Sequence, residues 1–203
     1  MKLPKLPTII AQTKFDERGL AHVDGRILVP AYMGSQWGFN AAGKEQLERF
    51  YQRLEWEAGV LPLCPFKACE EYLDFKKLGK VKSLVDSLRF WKKYNKLIGP
   101  VNYETLMPKS RFMIALLDGA QGIDDGLAAE IGFYAAKYSP ERPIFGIRSD
   151  FRLCENVSAP INIAVRYFMD EGPCRGKFFQ GEDAYEKGIK AIKKFADRVR
   201  SAA

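Results

Sequence analysis

The chain has 203 residues, 47% of them hydrophobic, and a formal net charge of +7. That fits one globular domain spanning residues 1–203 with a full core. No apolar run is long enough to span a bilayer, and the basic start MKLPKLPTIIAQTKF lacks a sustained apolar segment, so a cytoplasmic protein without a membrane partner is expected.

Residues 1–25 show weak periodicity and read as an N-terminal arm or short hairpin. Residues 26–33, RILVPAYM, read as a first strand, with Pro30 marking its end or a bulge. GSQWGFN is a loop, and Asn40 can cap the helix that follows. Leu47, Phe50, Leu54 and Ala58 recur at helical spacing, and Gly59 stops that helix. Residues 60–64 form a short second strand ended by Pro65. Residues 66–100 are rich in Lys and aromatics and read as a partly helical expansion. There Val81, Leu84, Val85, Leu88 and Trp91 fit one helical face and are assigned to the core. Gly99 and Pro100 break the chain, and a short helix leads to Pro108.

Residues 112–117 are a continuous apolar run, the pattern of a parallel strand buried on both faces. A helix follows over Asp125–Tyr138, then a strand over residues 142–148. Residues 161–168 read as a fifth strand or part of a helix. Tyr185, Ile189, Ile192, Phe195 and Val199 define an amphipathic C-terminal helix. Its Lys187, Lys190, Lys193, Lys194, Arg198 and Arg200 place part of the basic surplus on a solvated face. Strands alternating with helices predict an α/β fold with a single doubly wound, mostly parallel sheet, flavodoxin-like or Rossmann-like, and helices on both faces.

Cys64, Cys69, Cys154 and Cys174 match no common zinc spacing and read as free thiols, and His22 is the only histidine, so no metal site is expected. A Ser–His or Cys–His nucleophile would need His22, far from any nucleophile-like motif, which leaves the chemistry to carboxylates. No nucleic-acid-binding motif accompanies the basic charge, and no nucleic-acid partner is expected.

The stretch ALLDGAQGIDDGLAAEIGFYAAKY joins the apolar strand to an acidic, Gly-rich loop and a helix opening. Asp118, Asp124 and Asp125 cluster at the C-terminal end of a strand, where open α/β sheets bind ligands. Glu130 falls in the second helical turn, at the edge of the apolar face, with the small residues Gly126, Ala128, Ala129 and Gly132 around it. The helix N-terminus favours an ionised carboxylate there. Such a carboxylate in a cleft can stabilise an oxocarbenium-like centre and trap it covalently, while a second, Asp124 or Asp118, protonates or orients a leaving base. The same spacing also suits a surface glutamate behind two capping aspartates.

The run D-x-G-x-x-x-E-I-G-x-x-x-A (Asp124, Gly126, Glu130, Ile131, Gly132, Ala136), preceded by Leu117-Asp118-Gly119 and followed by Pro160-Ile161-Asn162, resembles the nucleoside 2-deoxyribosyltransferase family. The resemblance covers the order of elements from Arg26 to about Asn162. It implies Glu130 as the nucleophile that forms a glycosyl-enzyme, Asp124 in contact with the nucleobase, and Asn162 donated across a subunit interface to the sugar. A homo-oligomer without cofactor is implied. Asp118, Gly119 and Gly126 would line the substrate, and Tyr32 would take the place of an aromatic that touches the nucleophile.

The implied activity is cleavage of the N-glycosidic bond of a (deoxy)nucleoside or nucleoside 5′-monophosphate. A second base (transferase) or water (hydrolase) resolves the intermediate, and the alternative is a non-catalytic nucleotide-binding protein on the same fold. The family carries an aspartate just before the strand leading to the motif, where this chain reads Lys109-Ser110-Arg111-Phe112. Arg111 is expected either to hold a substrate phosphate or to pair with Glu130, Asp118 or a surface residue at the strand start.

Overall fold

A computed structural model describes residues 3, 5–74, 83–119, 123–150, 160–172 and 175–202, the side chains of Phe39 and Glu171 aside. Among them, seven strands form one sheet: β1 (Lys14–Phe15), β2 (Ala21–Val23), β3 (Arg26–Ser35), β4 (Val60–Leu63), β5 (Phe112–Leu116), β6 (Ile144–Arg148) and β7 (Lys177–Gln180). The parallel part runs β4-β3-β5-β6-β7, and β1 and β2 extend it as an antiparallel meander on the first half of β3. That parallel order is the flavodoxin-like one, with its switch point between β3 and β5. Among the described residues, the α-helices of four residues or more are α1 (Thr8–Ala11), α2 (Ala41–Arg53), α3 (Pro65–Glu70), α4 (Leu84–Val101), α5 (Asp125–Tyr138), α6 (Ile163–Arg166) and α7 (Ala184–Ser201), and a single turn over Met107–Lys109 precedes β5.

Local chemistry explains most boundaries. Asp24 and Gly25, both at positive φ, make the two-residue turn of the β2–β3 hairpin. The Asn40 side chain accepts from the Gly43 N–H at 2.7 Å and caps α2. α2 widens into a π turn over Leu54–Ala58 and stops at Gly59, whose φ of 65° is left-handed. The central strands alternate between two cores. Met113, Ala115 and Leu117 face the core under α3, α4 and α5, whereas Phe112, Ile114 and Leu116 face the core under α2 and α7.

Several sequence-based expectations need correction. Pro30 neither ends nor bulges β3, which runs on to Ser35. It sits between the last β2 pair, at Leu28, and the first β5 pair, at Ala31, where the N–H it lacks costs no ladder bond. Of the two readings of residues 161–168, a fifth strand or part of a helix, the structure takes the helix. Ile163–Arg166 is helical and passes into a π turn over Tyr167–Glu171, and the fifth parallel strand is instead β7. Four residues on a sheet edge, half of them polar, carry too little pattern to be seen in sequence.

The helix also does not break at Gly99–Pro100. α4 runs through both to Val101, and the next turn widens to π over Asn102–Leu106. Proline removes one intrahelical donor, and the Thr105 hydroxyl donates to the Pro100 carbonyl at 2.8 Å.

The apolar face of α4 assigned to the core lies in solvent: Leu84 is 75% and Leu88 59% exposed, with Val85 and Trp91 exposed as well, and Val81 lies outside the described residues. α4 is anchored by a second row, Leu97 and Val101, on roughly the opposite side of a 3.6-residue helix. The last helix holds part of the basic surplus, six Lys and Arg against Glu186 and Asp197, but acids elsewhere offset it. Lys187, Lys193 and Arg200 of α7 pair with Asp183 and Asp197. Residues 75–96 hold eight Lys and Arg against Asp86 alone, so the rest of the chain, with 24 basic and 24 acidic side chains, is neutral.

Candidate active site

A cleft of about 530 Å³, its mouth included, opens at the C-terminal end of β3, beside the start of α5. Met33 and Ser35 of β3, Phe66 of α3, Tyr94 and Ile98 of α4, and Leu127 of α5 supply much of its lining. The polar groups are Asn102, Asp124 and Glu130. Every wall is set by a regular element, and the position is the switch point where such sheets place ligands.

α5 brings the carboxylates together. Asp124 is its N-cap, with Oδ2 accepting from the Leu127 N–H at 3.1 Å. A Cβ on Gly126 would stand 2.9 Å from that oxygen, so the small residue keeps the cap open. Glu130 follows in the second turn. Gly34 lets α5 lie close on β3, since a Cβ there would fall 2.5 Å from Leu127 Cδ1 and 3.5 Å from Glu130 Oε2.

Glu130 keeps its exposed surface toward the cleft, while its carboxylate is enclosed by protein. Asn102 Nδ2 donates to Glu130 Oε1 at 2.8 Å. The buried Tyr32 hydroxyl lies beside the same carboxylate without reaching hydrogen-bond geometry. Burial pushes the Glu130 carboxyl up to about 7, Tyr32 and Asn102 pull it back, and the charge on Asp124 raises it further. Burial, and then the negative charge of Glu130, hold the Tyr32 phenol far above its ordinary range, so it stays a neutral donor.

Of the residues singled out in the sequence, the structure gathers Glu130, Asp124, Gly126 and Tyr32 in one place and leaves four elsewhere. Asp118 is buried, and its oxygens accept from the N–H groups of Ser149 and Asp150 and the hydroxyls of Ser149 and Tyr185. It does not line the cleft. Gly119 packs on Gln36, whose Nε2 would be 1.5 Å from a Cβ. Asn162 is exposed at the N-cap of α6, where Oδ1 accepts from Ala164 N–H at 3.0 Å, and it does not line its own chain's cleft.

Arg111 precedes β5, and its N–H donates to the Pro30 carbonyl near the bottom of the sheet. A residue before a parallel strand lies at the opposite end from the loop after it, so Arg111 reaches neither Glu130 nor a ligand in the cleft. Among the described residues, no Lys or Arg lines it. Cys64 and Cys69 are free and buried, and Cys154 and Cys174 lie outside the described residues. Among the described residues, no group of three His, Cys, Asp or Glu side chains could hold a metal ion, and no helix is long and apolar enough to cross a membrane.

Asn102 is the functional side chain that the sequence reading missed. Its one local signal is an amide set beside the buried Val101 and ahead of the buried Leu106 in an otherwise apolar row. Its partner lies 28 residues away.

Residues 31–164 match the family model described as nucleoside 2-deoxyribosyltransferase. Among solved structures, the chain is similar to a 2-desoxiribosyltransferase from Leishmania mexicana, with 18% identity, coverage of 86% of this chain and 99% of that one, and a TM-score of 0.43. No curated protein matches it.

Proposed function

The chain belongs to the nucleoside 2-deoxyribosyltransferase family, and on that premise we propose that it cleaves the N-glycosidic bond of a nucleoside or nucleoside 5′-monophosphate through a glycosyl intermediate on Glu130. The observation that carries this reading is a cleft carboxylate held on one oxygen by Asn102 Nδ2 at 2.8 Å, with its pKa raised to about 7. Oε2, the oxygen that Asn102 does not engage, forms the bond to C1′. The C1′–N bond breaks, and its electron pair goes to the base nitrogen, which takes up a proton from solvent. Asp124, at the cleft edge of the same helix, orients that base. A second base or water then attacks C1′ and gives up its proton to solvent, and the C1′–Oε2 bond breaks to return Glu130 to its ionised form.

Asn102 donates to Glu130 from the element before β5, and Arg111 lies at the far end of the sheet, away from the nucleophile. The alternative, a non-catalytic nucleotide-binding protein, draws on the acid missing ahead of β5. The test is base release or exchange from nucleosides and nucleotides, and Glu130→Gln must abolish it.

The nucleophile has to be ionised, and a raised carboxyl pKa means that activity is lost as pH falls. kcat/KM is expected to reach half its plateau near pH 7 and to drop about tenfold per unit below pH 6. A profile that stays level from pH 5 to 8 would argue against Glu130 in this role.

We also propose a homo-oligomer in which Asn162 reaches a neighbour's cleft. Ile163 and Tyr167, next to it, are 67% and 50% exposed, an apolar pair on the same short helical segment. Glu130→Gln and Asn162→Ala should each be inactive alone. Mixed and reassembled, they should recover about a quarter of wild-type activity, because half the dimers carry one intact composite site. No recovery on mixing, or a monomer at active concentrations, contradicts the shared site.

A further inference from the structure

Asn102 is 2% exposed, and only half of its amide is used. A carboxylate accepts and does not donate, so the Asn102 NH2 must face Glu130 and its carbonyl must face away. That carbonyl oxygen, Oδ1, is buried and has no hydrogen-bond partner. Buried acceptors are rarely left in this state unless a ligand or water completes them. Asn102 also lines the cleft, so the missing donor can arrive with the substrate.

Stereochemistry says which donor fits. If Glu130 attacks C1′, it does so from the face opposite the departing base. On a β-ribonucleoside, the 2′-hydroxyl lies on that same face, one carbon from the point of attack. Asn102 holds the nucleophile from that face, so the unused acceptor of its amide lies on the side of the sugar that carries a 2′-hydroxyl. A 2-deoxy sugar presents only C–H there and leaves Oδ1 unpaired.

We propose that this site takes ribo-configured substrates, nucleosides or nucleotides that carry a 2′-hydroxyl, with Asn102 Oδ1 accepting from that hydroxyl while Nδ2 holds Glu130. The inference rests on the reading that Glu130 is the nucleophile, and it departs from the 2-deoxy preference in the family's description. One residue thus links the position of the nucleophile to the identity of the sugar. A site built around a substrate hydroxyl discriminates strongly against the analogue that lacks it, because its own polar group is left unpaired.

Affinity separates this from turnover. C-nucleosides have no N-glycosidic bond and cannot be cleaved. Purine and pyrimidine C-nucleosides, each as a ribo and 2′-deoxy pair, are titrated against the wild type, Asn102→Ala and Asn102→Asp. The ribo member should bind the wild type about fivefold more tightly or better, the worth of one net hydrogen bond. Asn102→Ala should bind both members of a pair alike. Asn102→Asp keeps an acceptor and should keep the ribo preference, while its pH–rate midpoint moves up because a second carboxylate replaces the amide donor.

Equal or tighter binding of the deoxy member by the wild type overturns the proposal, as does a preference that survives Asn102→Ala or a failure of every pair to bind. Should Asn102→Ala not fold, the wild-type ratio alone decides. Base release that persists in Glu130→Gln, or never occurs, refutes the catalytic reading instead.

Discussion

Glu130→Gln is expected to lower turnover by about four orders of magnitude or more and, in the same protein, to raise stability at pH 8. The first effect is the loss of a covalent catalyst, which a neutral amide cannot replace. The second follows from the environment that makes Glu130 reactive. Its folded-state pKa of about 7 lies above the ordinary 4.5, so the folded form holds the proton more tightly than the unfolded chain does. A carboxyl shifted in this direction contributes its full stability below about 4.5 and loses it as pH rises through 7.

By pH 8 the whole penalty of a buried charge is present, on the order of 3 kcal/mol for a shift of this size. Gln keeps the shape and can still accept from Asn102. The variant should therefore melt higher than the wild type at pH 8, with the gap closing as pH falls toward 5. Thermal denaturation at several pH values, run beside the base-release assay, reads both effects. Equal melting temperatures at pH 8 would remove the case for a destabilising charge at the catalytic position. Wild-type turnover in the variant would falsify the nucleophile assignment.

What the sequence revealed here is what short-range chemistry controls. Asn40 was readable as a cap because an N-cap needs only its own side chain and an N–H three residues on, whereas the α5 cap falls on Asp124, one residue before the Asp125 that the acidic run suggested. Gly59 was readable as a stop because a left-handed residue there favours glycine. The parallel strand ahead of α5 showed in its unbroken apolar run, and with the alternation of elements it gave the layer architecture. The pairing of Asn102 with Glu130 is a contact between two helices, and no spacing rule reports it. Arg111 was misread for a related reason. Adjacency in sequence to a site-bearing strand was taken as adjacency to the site, yet a strand separates its two ends by its own length.

The exposed row on α4 marks another limit of pattern reading. A helix with two apolar rows shows the same periodicity whichever row packs, and only the anchoring through Leu97 and Val101 settles it. The row that remains outside belongs to the stretch that carries the protein's entire net charge. Periodicity alone could not assign it to solvent, because a buried and an exposed apolar stripe are identical in sequence.

Asp118→Ala is expected to cost about 3–5 kcal/mol of stability, seen as a fall in Tm of about 10 °C, and this is how its structural role is told from substrate binding. The carboxylate accepts four hydrogen bonds between 2.7 and 2.9 Å, from the N–H groups of Ser149 and Asp150 and the hydroxyls of Ser149 and Tyr185. Its own carbonyl accepts from the Trp37 indole at 3.0 Å and from Gln36 at 3.1 Å. One residue thus joins the loops after β3, β5 and β6 to α7. Alanine leaves all four donors without their acceptor in a site that is only 7% exposed.

Asp118→Asn should cost far less, about 1 kcal/mol, because the amide oxygen can still take the two N–H groups. The hydroxyls of Ser149 and Tyr185 can rotate to accept from its NH2, whereas a backbone N–H cannot reverse. The graded loss, Ala much worse than Asn, is the signature of an acceptor that organises loops. A residue that only binds substrate would show the opposite, with KM raised in both variants and Tm unmoved, and that result would return Asp118 to the cleft.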